Sequence, residues 1–442
     1  MRTLILNANI ITGDGKTILE NHSLILDGDL IDTIISLPYP RYVKPDLAIN
    51  AQSGFVIPGI INHHAHNLTL GPAGNVIGSI PYSKPRVLQN LHRHLLDGTT
   101  TIVNVDGMAT QEEIAEARGF TPMLVQAVST HTPLYLENAK RLNLGGMRKE
   151  HWLKVEDRIK QGAVGIGEIG GAQEDMPPYR RINIARVVEE KTGVKISPGA
   201  LVALTGLLLA KPPDEKGASD MMAKMGISPA MEALKELVAR SPEFIRYSRE
   251  ACREAATIAG KLGVPIIMHN SPTTKSQVRD FAKDLKGLLI AAHSNFTPYK
   301  PQEAIEVARA VKKAGGWVDI IGGDFFGPRL FFRNHATTLA LLAEGLVDMM
   351  STDYMGGHWD PILRVLEYAV LQNVIDLPQA IALATRNVTR AIPNVAPNRG
   401  QIAEGKIADL VILSPDSISK VRTVLIGGKV VVDEGKIVPS PE

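Results

Sequence analysis

Several apolar runs in this chain end in side chains that can bind a cation. The first ends in His63-His64-Ala65-His66, the fourth in Glu168, the fifth in His269, the sixth in His293 and the eighth in Asp353. Side chains alternate faces along a strand, so His64 and His66 point the same way and His63 points the other. Two imidazoles on one face at the carboxyl end of a buried strand can each give one nitrogen to the same ion. Any one of these residues alone reads more simply as a hydrogen-bonded structural group. Five strand ends of this kind on one face of a fold call for a common cause. Four histidines and a carboxylate suffice for two cations, with Glu168 bridging them.

The chemistry would be hydrolytic. Water near neutral pH is a poor nucleophile, and a divalent cation lowers its pKa to about 7. Asp353 is then placed to accept the proton of the activated water and pass it to a leaving nitrogen. Imidazoles and carboxylates suit Zn²⁺, and also Fe²⁺, Mn²⁺ or Co²⁺. The expected cofactor is a divalent metal, zinc foremost, at one or two ions per subunit.

These residues need elements that converge on one face. Between about residue 58 and 395 apolar runs alternate with amphipathic stretches: Thr100–Val105, Thr121–Val128, Gly162–Glu168, Val264–His269, Leu288–His293, Trp317–Ile321 and Val347–Asp353 follow the opening run before His64. Wholly apolar runs followed by helices signal a parallel sheet buried on both faces. Eight such units predict an α/β fold of the (β/α)8 TIM-like barrel type, with chemistry at the carboxyl ends of its strands. Residues 1–57 and 396–442 have a different texture, short alternating runs and tight turns, and predict a small composite β-sandwich formed by both termini. From 172 to 260 no apolar run behaves as a barrel strand. Helices are expected at Asn183–Thr192 and from Ala230 through Ala259, with an exposed loop at Lys211–Gly217. This insertion after the fourth strand is expected to cover the mouth of the barrel or to contact a partner subunit.

Composition excludes other classes. The chain has 442 residues, 44% hydrophobic and 21% charged, with a formal net charge of +2. That near balance and the lack of a basic run give nucleic acid no electrostatic footing. No apolar run is long enough to span a bilayer, and the first ten residues are too short and strand-like for a signal peptide. The single cysteine, Cys252, excludes an internal disulfide and suits a reducing compartment. The expectation is a cytoplasmic homo-oligomer acting on a small molecule.

Taken together, these residues resemble the amidohydrolase superfamily. The resemblance rests on His64-Ala65-His66 after the first strand, Glu168 after the fourth, His269 and His293 after the fifth and sixth, and Asp353 after the eighth. Phe55–Asn62 is similar to the family's opening strand, Gly98–Thr101 to its second, and Gly405–Val411 to the strand that returns to the terminal β structure. Membership implies metal ligands His64, His66, Glu168, His269, His293 and Asp353, with Asp353 also catalytic. It further implies hydrolysis of a carbon–nitrogen bond other than a peptide bond: an amide, a cyclic amide or an N-acyl amino acid. A bridging glutamate and the run Ala163–Gly170 look closest to enamidase-like members; His63 and the long insertion depart from them. The same centre also suits a deaminase of heterocycles. Many members use a carbamylated lysine as the bridge, and Lys195 is the nearby candidate, but it lies beyond Pro177-Pro178 and a helix, so Glu168 is favoured.

Two further readings compete. Gly165-Ile166-Gly167-Glu168-Ile169-Gly170 satisfies Gly-x-Gly-x-x-Gly, the turn of a nicotinamide-dependent dehydrogenase, with Glu189 and Glu190 at a distance suited to a ribose. That fold needs a helix to begin at once, and Gly171–Pro178 would tolerate one poorly. A non-catalytic scaffold would have dropped a ligand or Asp353, and none is missing. For substrate contacts the candidates are His131 after the third run, Arg329 after the seventh, and Tyr354 and His358 beyond Asp353. Arg329 is suited to clamp a carboxylate. Met221, Met222, Met225 and Met231 fit either an apolar pocket or a helical core.

Overall fold

The computed structural model describes the chain apart from residues 37–43, 73–80, 143–145, 174–176, 211, 240, 297, 324–334, 354–359 and 440–442. Five strands open the chain: β1 (Arg2–Ile11), β2 (Ile18–Asp27), β3 (Leu30–Ser36), β4 (Leu47–Asn50) and β5 (Phe55–Pro58). Eight follow in the middle: β6 (Ile60–Ala65), β7 (Thr99–Asn104), β8 (Leu124–Ala127), β9 (Ile166–Ile169), β10 (Ile266–His269), β11 (Leu289–Ala292), β12 (Trp317–Ile321) and β13 (Met349–Ser351). The last four are β14 (Leu410–Ser414), β15 (Ser417–Ile426), β16 (Lys429–Asp433) and β17 (Lys436–Ile437).

The two ends of the chain share one nine-stranded sheet, in the order β17-β16-β15-β14-β5-β1-β2-β3 with β4 on β1. β5 is the joint: it lies parallel to β1, with Asn9 opposite Phe55, and antiparallel to β14, with Pro58 opposite Leu410. Ile5, Ile10, Leu24, Val56, Leu410, Ile412 and Leu425 share a common core, and irregularities in β1 between Ile5 and Ile10 break the strict alternation that would send those two to opposite faces. Each such aliphatic side chain stabilises the fold by about 1.5–3 kcal/mol when fully buried. The Asp14 carboxylate holds the turn between β1 and β2, accepting bonds from the amides of Lys16 and Thr17, both at 2.8 Å.

The eight middle strands pair in parallel, as β6-β7-β8 and as β13-β12-β11-β10-β9. All residues of β6, β7, β9, β10, β11 and β13 are buried, which is why their sequences read as continuous apolar runs. Two joints link the sheets. At one, Ser129 bridges Ile166 just past β8. At the other, the Asp353 amide donates to the His64 carbonyl at 3.0 Å and Asn62 Nδ2 donates to Thr352 Oγ1 at 2.8 Å. The segment 388–396 supplies Val388, Ile392 and Val395 to the core formed with Ile61, Val103, Ile267, Ile290 and Met349.

Residues 170–253 form a compact unit of their own. Its helices run Pro177–Thr192, Pro198–Leu208, Glu215–Lys224 and Met231–Ala239, and the helix Ser241–Leu262 begins within it. The expected stretches at 183–192 and 230–259 are helical in their described residues, Ala230 in a 3₁₀ turn, and two further helices lie between them. Pro177 and Pro178 open a helix, against expectation, because a proline in the first turn has no intrahelical partner to lose. Ser197 and Asp214 cap the next two helices, accepting from the Ala200 and Gly217 amides. Ile184, Val188, Leu204, Met222 and Leu234 form the core, with Met221, Met225 and Met231 packed against it, so the methionines belong to a helical core. No helix among the described residues is long and apolar enough to cross a membrane.

Candidate metal centre

Glu168 sits within β9, its side chain buried, with its two oxygens facing different histidines. Oε1 lies 3.0 Å from His269 Nδ1 and 3.0 Å from His293 Nε2. Oε2 lies 3.5 Å from His64 Nε2 and 3.6 Å from His66 Nε2. Asp353 Oδ1 closes the second group, 3.5 Å from each of those Nε2 atoms. The six side chains are thus brought together at the ends of β6, β9, β10, β11 and β13.

The two groups differ in spacing. The 3.0 Å contacts of Oε1 are hydrogen bonds. The 3.5–3.6 Å separations around His64 and His66 are too long for good ones. Two ligands each about 2.1 Å from one tetrahedral ion stand roughly 3.4 Å apart, and the separations match that. His64 Nε2 is buried and makes no hydrogen bond among the described residues. A buried imidazole with that orphaned nitrogen aimed at two carboxylates is what a metal ligand requires, and the donor set fits a divalent ion.

Electrostatics point the same way. Burial favours neutral imidazoles, but Glu168 and Asp353 outweigh it at His64 and raise its pKa. At His66 burial is again outweighed, by Asp106, Asp353 and Glu168, and the pKa stands well above the ordinary value. Burial would raise the Glu168 pKa, yet His64, His269 and His293 hold it well below the carboxylate range. Asp353 is lowered against burial by His66, His64 and His293. Both carboxylates are held ionised, as ligands must be.

Neighbouring groups fix the ligands. Asp106 accepts from His66 Nδ1 at 2.9 Å and from the Asn67 amide at 2.8 Å, which turns His66 Nε2 toward Glu168 and Asp353. Sequence reasoning missed Asp106; its signal was a carboxylate two residues past the end of the fully buried, largely β-branched strand Thr99–Asn104. His293 and Asp353 have φ of 34° and 48°, a left-handed backbone that costs non-glycine residues roughly 1–2 kcal/mol. Strain of this kind persists where surrounding bonds over-determine it. His63 faces away, as strand alternation predicts, with Nε2 3.1 Å from Asp319 Oδ1.

His131 is fully buried, with Ser129 Oγ 2.8 Å from its Nδ1. Burial, aided by Arg158 and His151, pushes its pKa down to about 3, so the ring is neutral. Arg329, Tyr354 and His358 lie outside the described residues. Lys195 is 85% exposed and stands 3.9 Å from Glu189, with no place among these groups. The glycines of 165–170 serve strand packing: a Cβ on Gly165 would meet the Pro265 carbonyl at 2.6 Å, and one on Gly167 the Ile267 carbonyl at 2.8 Å. A short 3₁₀ turn over Gly171–Gln173 follows, and among the described residues no α-helix begins before Pro177, whereas a pyrophosphate site needs one directly after the turn. A cavity of about 420 Å³ lies at the starting ends of the strands, lined by Gln111, Arg118, Gln126, Val164 and Pro265, and holds none of the clustered residues.

Residues 242–431 match the model of the amidohydrolase family. No curated protein matches the chain in sequence. Among solved structures, β-aspartyl dipeptidase from Fervidobacterium islandicum AW-1 is 14% identical with a TM-score of 0.58, over 100% of this chain and 98% of that one. Enamidase is 17% identical with a TM-score of 0.55, over 99% and 98%. N-isopropylammelide isopropylaminohydrolase from Burkholderia multivorans is 13% identical with a TM-score of 0.53, over 99% and 100%. The carboxyl-terminal part of the chain thus resembles the amidohydrolase family in sequence, and the fold of the whole chain is like that of enamidase, a member of the amidohydrolase superfamily. That family is one of hydrolases, typically metal-dependent.

Proposed function

We propose that the chain is a metal-dependent hydrolase that cleaves a carbon–nitrogen bond of a small molecule, and that His64, His66, Glu168, His269, His293 and Asp353 hold one or two divalent ions, zinc foremost. The observation that carries this reading is Glu168, whose two oxygens face two separate pairs of imidazoles. A divalent ion held there supplies an acidified water and a charge that polarises a carbonyl. Glu168 provides two oxygens with no added reagent, so activity needs no bicarbonate. Asp353, ionised and beside His64 and His66, accepts the water's proton and returns it to the leaving nitrogen. Asp106 keeps the His66 ring in one tautomer throughout.

In this reading the eight parallel strands form one (β/α)8 barrel over residues 58–395, with 172–260 inserted after its fourth strand. Residues 1–57 and 396–442 form the terminal β-sandwich. His131 offers a neutral ring to the substrate, and Arg329, Tyr354 and His358 are further contacts to it in this reading. The enzyme works as a cytoplasmic homo-oligomer. Amides, cyclic amides and N-acyl amino acids are the leading substrates, and dipeptides join them because a β-aspartyl dipeptidase shares the fold. A second reading, aminohydrolysis of a heterocycle, is favoured by the likeness to N-isopropylammelide isopropylaminohydrolase.

The test is elemental analysis together with a screen of these substrate classes. Asp353→Asn is expected to retain metal while turnover falls by a factor on the order of 100 or more. Near-normal turnover in that variant removes Asp353 from the proton path, and a protein that takes up no metal removes the whole reading.

A further inference from the structure

Asp319, near the middle of β12, is fully buried, and the metal cluster does not use it. Its carboxylate reaches three other strands. Oδ2 accepts from the His293 amide at 3.0 Å, just past β11. Both oxygens lie 3.2 Å from Ser351 Oγ at the end of β13, two residues before Asp353. Oδ1 also stands 3.1 Å from His63 Nε2 on β6, beside His64, in a contact that falls outside hydrogen-bonding geometry. The Asp319 carbonyl accepts from the Ser294 amide at 2.7 Å.

The partners share one property. His293 and the neighbours of His64 and Asp353 all belong to strands that deliver a clustered side chain. The bond to the His293 amide also holds the one residue of the cluster with the most constrained backbone, at φ 34°. A buried carboxylate is costly to desolvate and is retained where its bonds offset that. Apolar contacts among β11, β12 and β13 would hold the sheet together without it.

We infer that Asp319 is a positioning residue of the metal centre, an inference that rests on the proposed function. It acts through the backbones of β6, β11 and β13, setting the relative height of His64, His293 and Asp353. An ion that needs nitrogens and oxygens within a few tenths of an ångström of fixed positions would feel its loss as weaker binding and altered ligand geometry, even in a protein that remains folded.

The experiment uses the full chain, stripped of metal and reloaded with Zn²⁺ or Co²⁺. Asp319→Asn keeps the volume but sets an amide N–H against the donors of His293 or Ser351. It is expected to bind Zn²⁺ about 10–100-fold more weakly in chelator competition and to change the visible absorption of bound Co²⁺, with far-UV circular dichroism unchanged. Ser351→Ala removes one donor without leaving a charge and is expected to weaken binding several-fold; it decides the matter if Asp319→Asn does not fold. Wild-type affinity and a wild-type Co²⁺ spectrum in the folded variants overturn the inference, even if their melting temperatures fall. A wild-type protein that takes up no divalent ion overturns the proposed function instead, and this inference with it.

Discussion

At the ends of β6, β9, β10, β11 and β13, His64, His66, His269, His293, Glu168 and Asp353 are buried within a few ångströms of one another. In the helical unit of residues 170–253, the buried core is Ile184, Val188, Leu204, Met222 and Leu234. Side chains of the first kind cost free energy to desolvate and are tolerated only with partners. Those of the second kind contribute stability by being buried. The difference separates what the fold needs in order to exist from what it holds ready for chemistry. Disturbing one region should leave the other's signature intact.

The largest effect is expected at Glu168. Glu168→Ala should lose at least one metal and depress turnover by a factor on the order of 1,000 or more, while Lys195→Ala keeps both metal and activity. Metal analysis and turnover with and without bicarbonate check this. Bicarbonate-dependent activity that vanishes with Lys195 would move the bridge out of β9.

Next in size is a pH effect confined to the strand ends. Metal-free, the raised pKa values of His64 and His66 contribute stability that is complete below about 6.5 and lost as pH rises through their folded values. The lowered values of Glu168 and Asp353 contribute stability present above the ordinary carboxylate range and lost as pH falls through their folded values. If these two imidazoles hold the ion, it competes with protons for them, and its affinity should rise with pH. Between pH 6 and 9 the melting temperature of the metal-free protein should fall while metal uptake strengthens. Parallel trends in the metal-free and loaded proteins would show that these imidazoles do not bind the ion.

In the helical unit, Leu234→Ala should cost about 2–5 kcal/mol of local stability. Hydrogen exchange should speed up across 184–234 while metal content stays at the wild-type level. Loss of metal in this variant would mean that the two regions are not separable. The smallest effect is expected at Asp14, in the turn between β1 and β2. Its pKa is lowered to about 2 because its bonds to Thr17 and Lys16 outweigh burial. Its contribution is present above about 3.8 and fades as pH falls toward 2. With solvent screening, Asp14→Ala should cost on the order of 0.5 kcal/mol at neutral pH, seen in denaturant titration, and nothing near pH 2.

How much of this was legible in the sequence follows the same division. The strand-end cluster is legible because a strand fixes side-chain direction with period two, so His64 and His66 announce a shared face and His63 the other. Glu168 was legible as the last polar residue of an apolar run, although it lies inside β9. Asp106 and Asp319 were not, since each acts across strands separated by tens of residues. Nothing in the local pattern of Trp317–Ile321 tells a buried carboxylate with partners on three strands from an exposed one. In the insertion, Pro198–Leu208 escaped notice because it is apolar nearly all round, which blurs the 3.6-residue period that reveals a helix.

The joint at β5 has a consequence for the order in which the molecule can assemble. Pro58 finds Leu410 only after roughly 350 more residues have been made, and at about 5–20 residues per second that interval is roughly 20–70 s. During it, one edge of β5 is without its final neighbour, a condition that invites pairing with other chains. Residues 410–437 therefore act as a late-arriving clasp. A nascent chain that stalls before Leu410 would expose that edge and should depend on chaperones far more than the finished protein does.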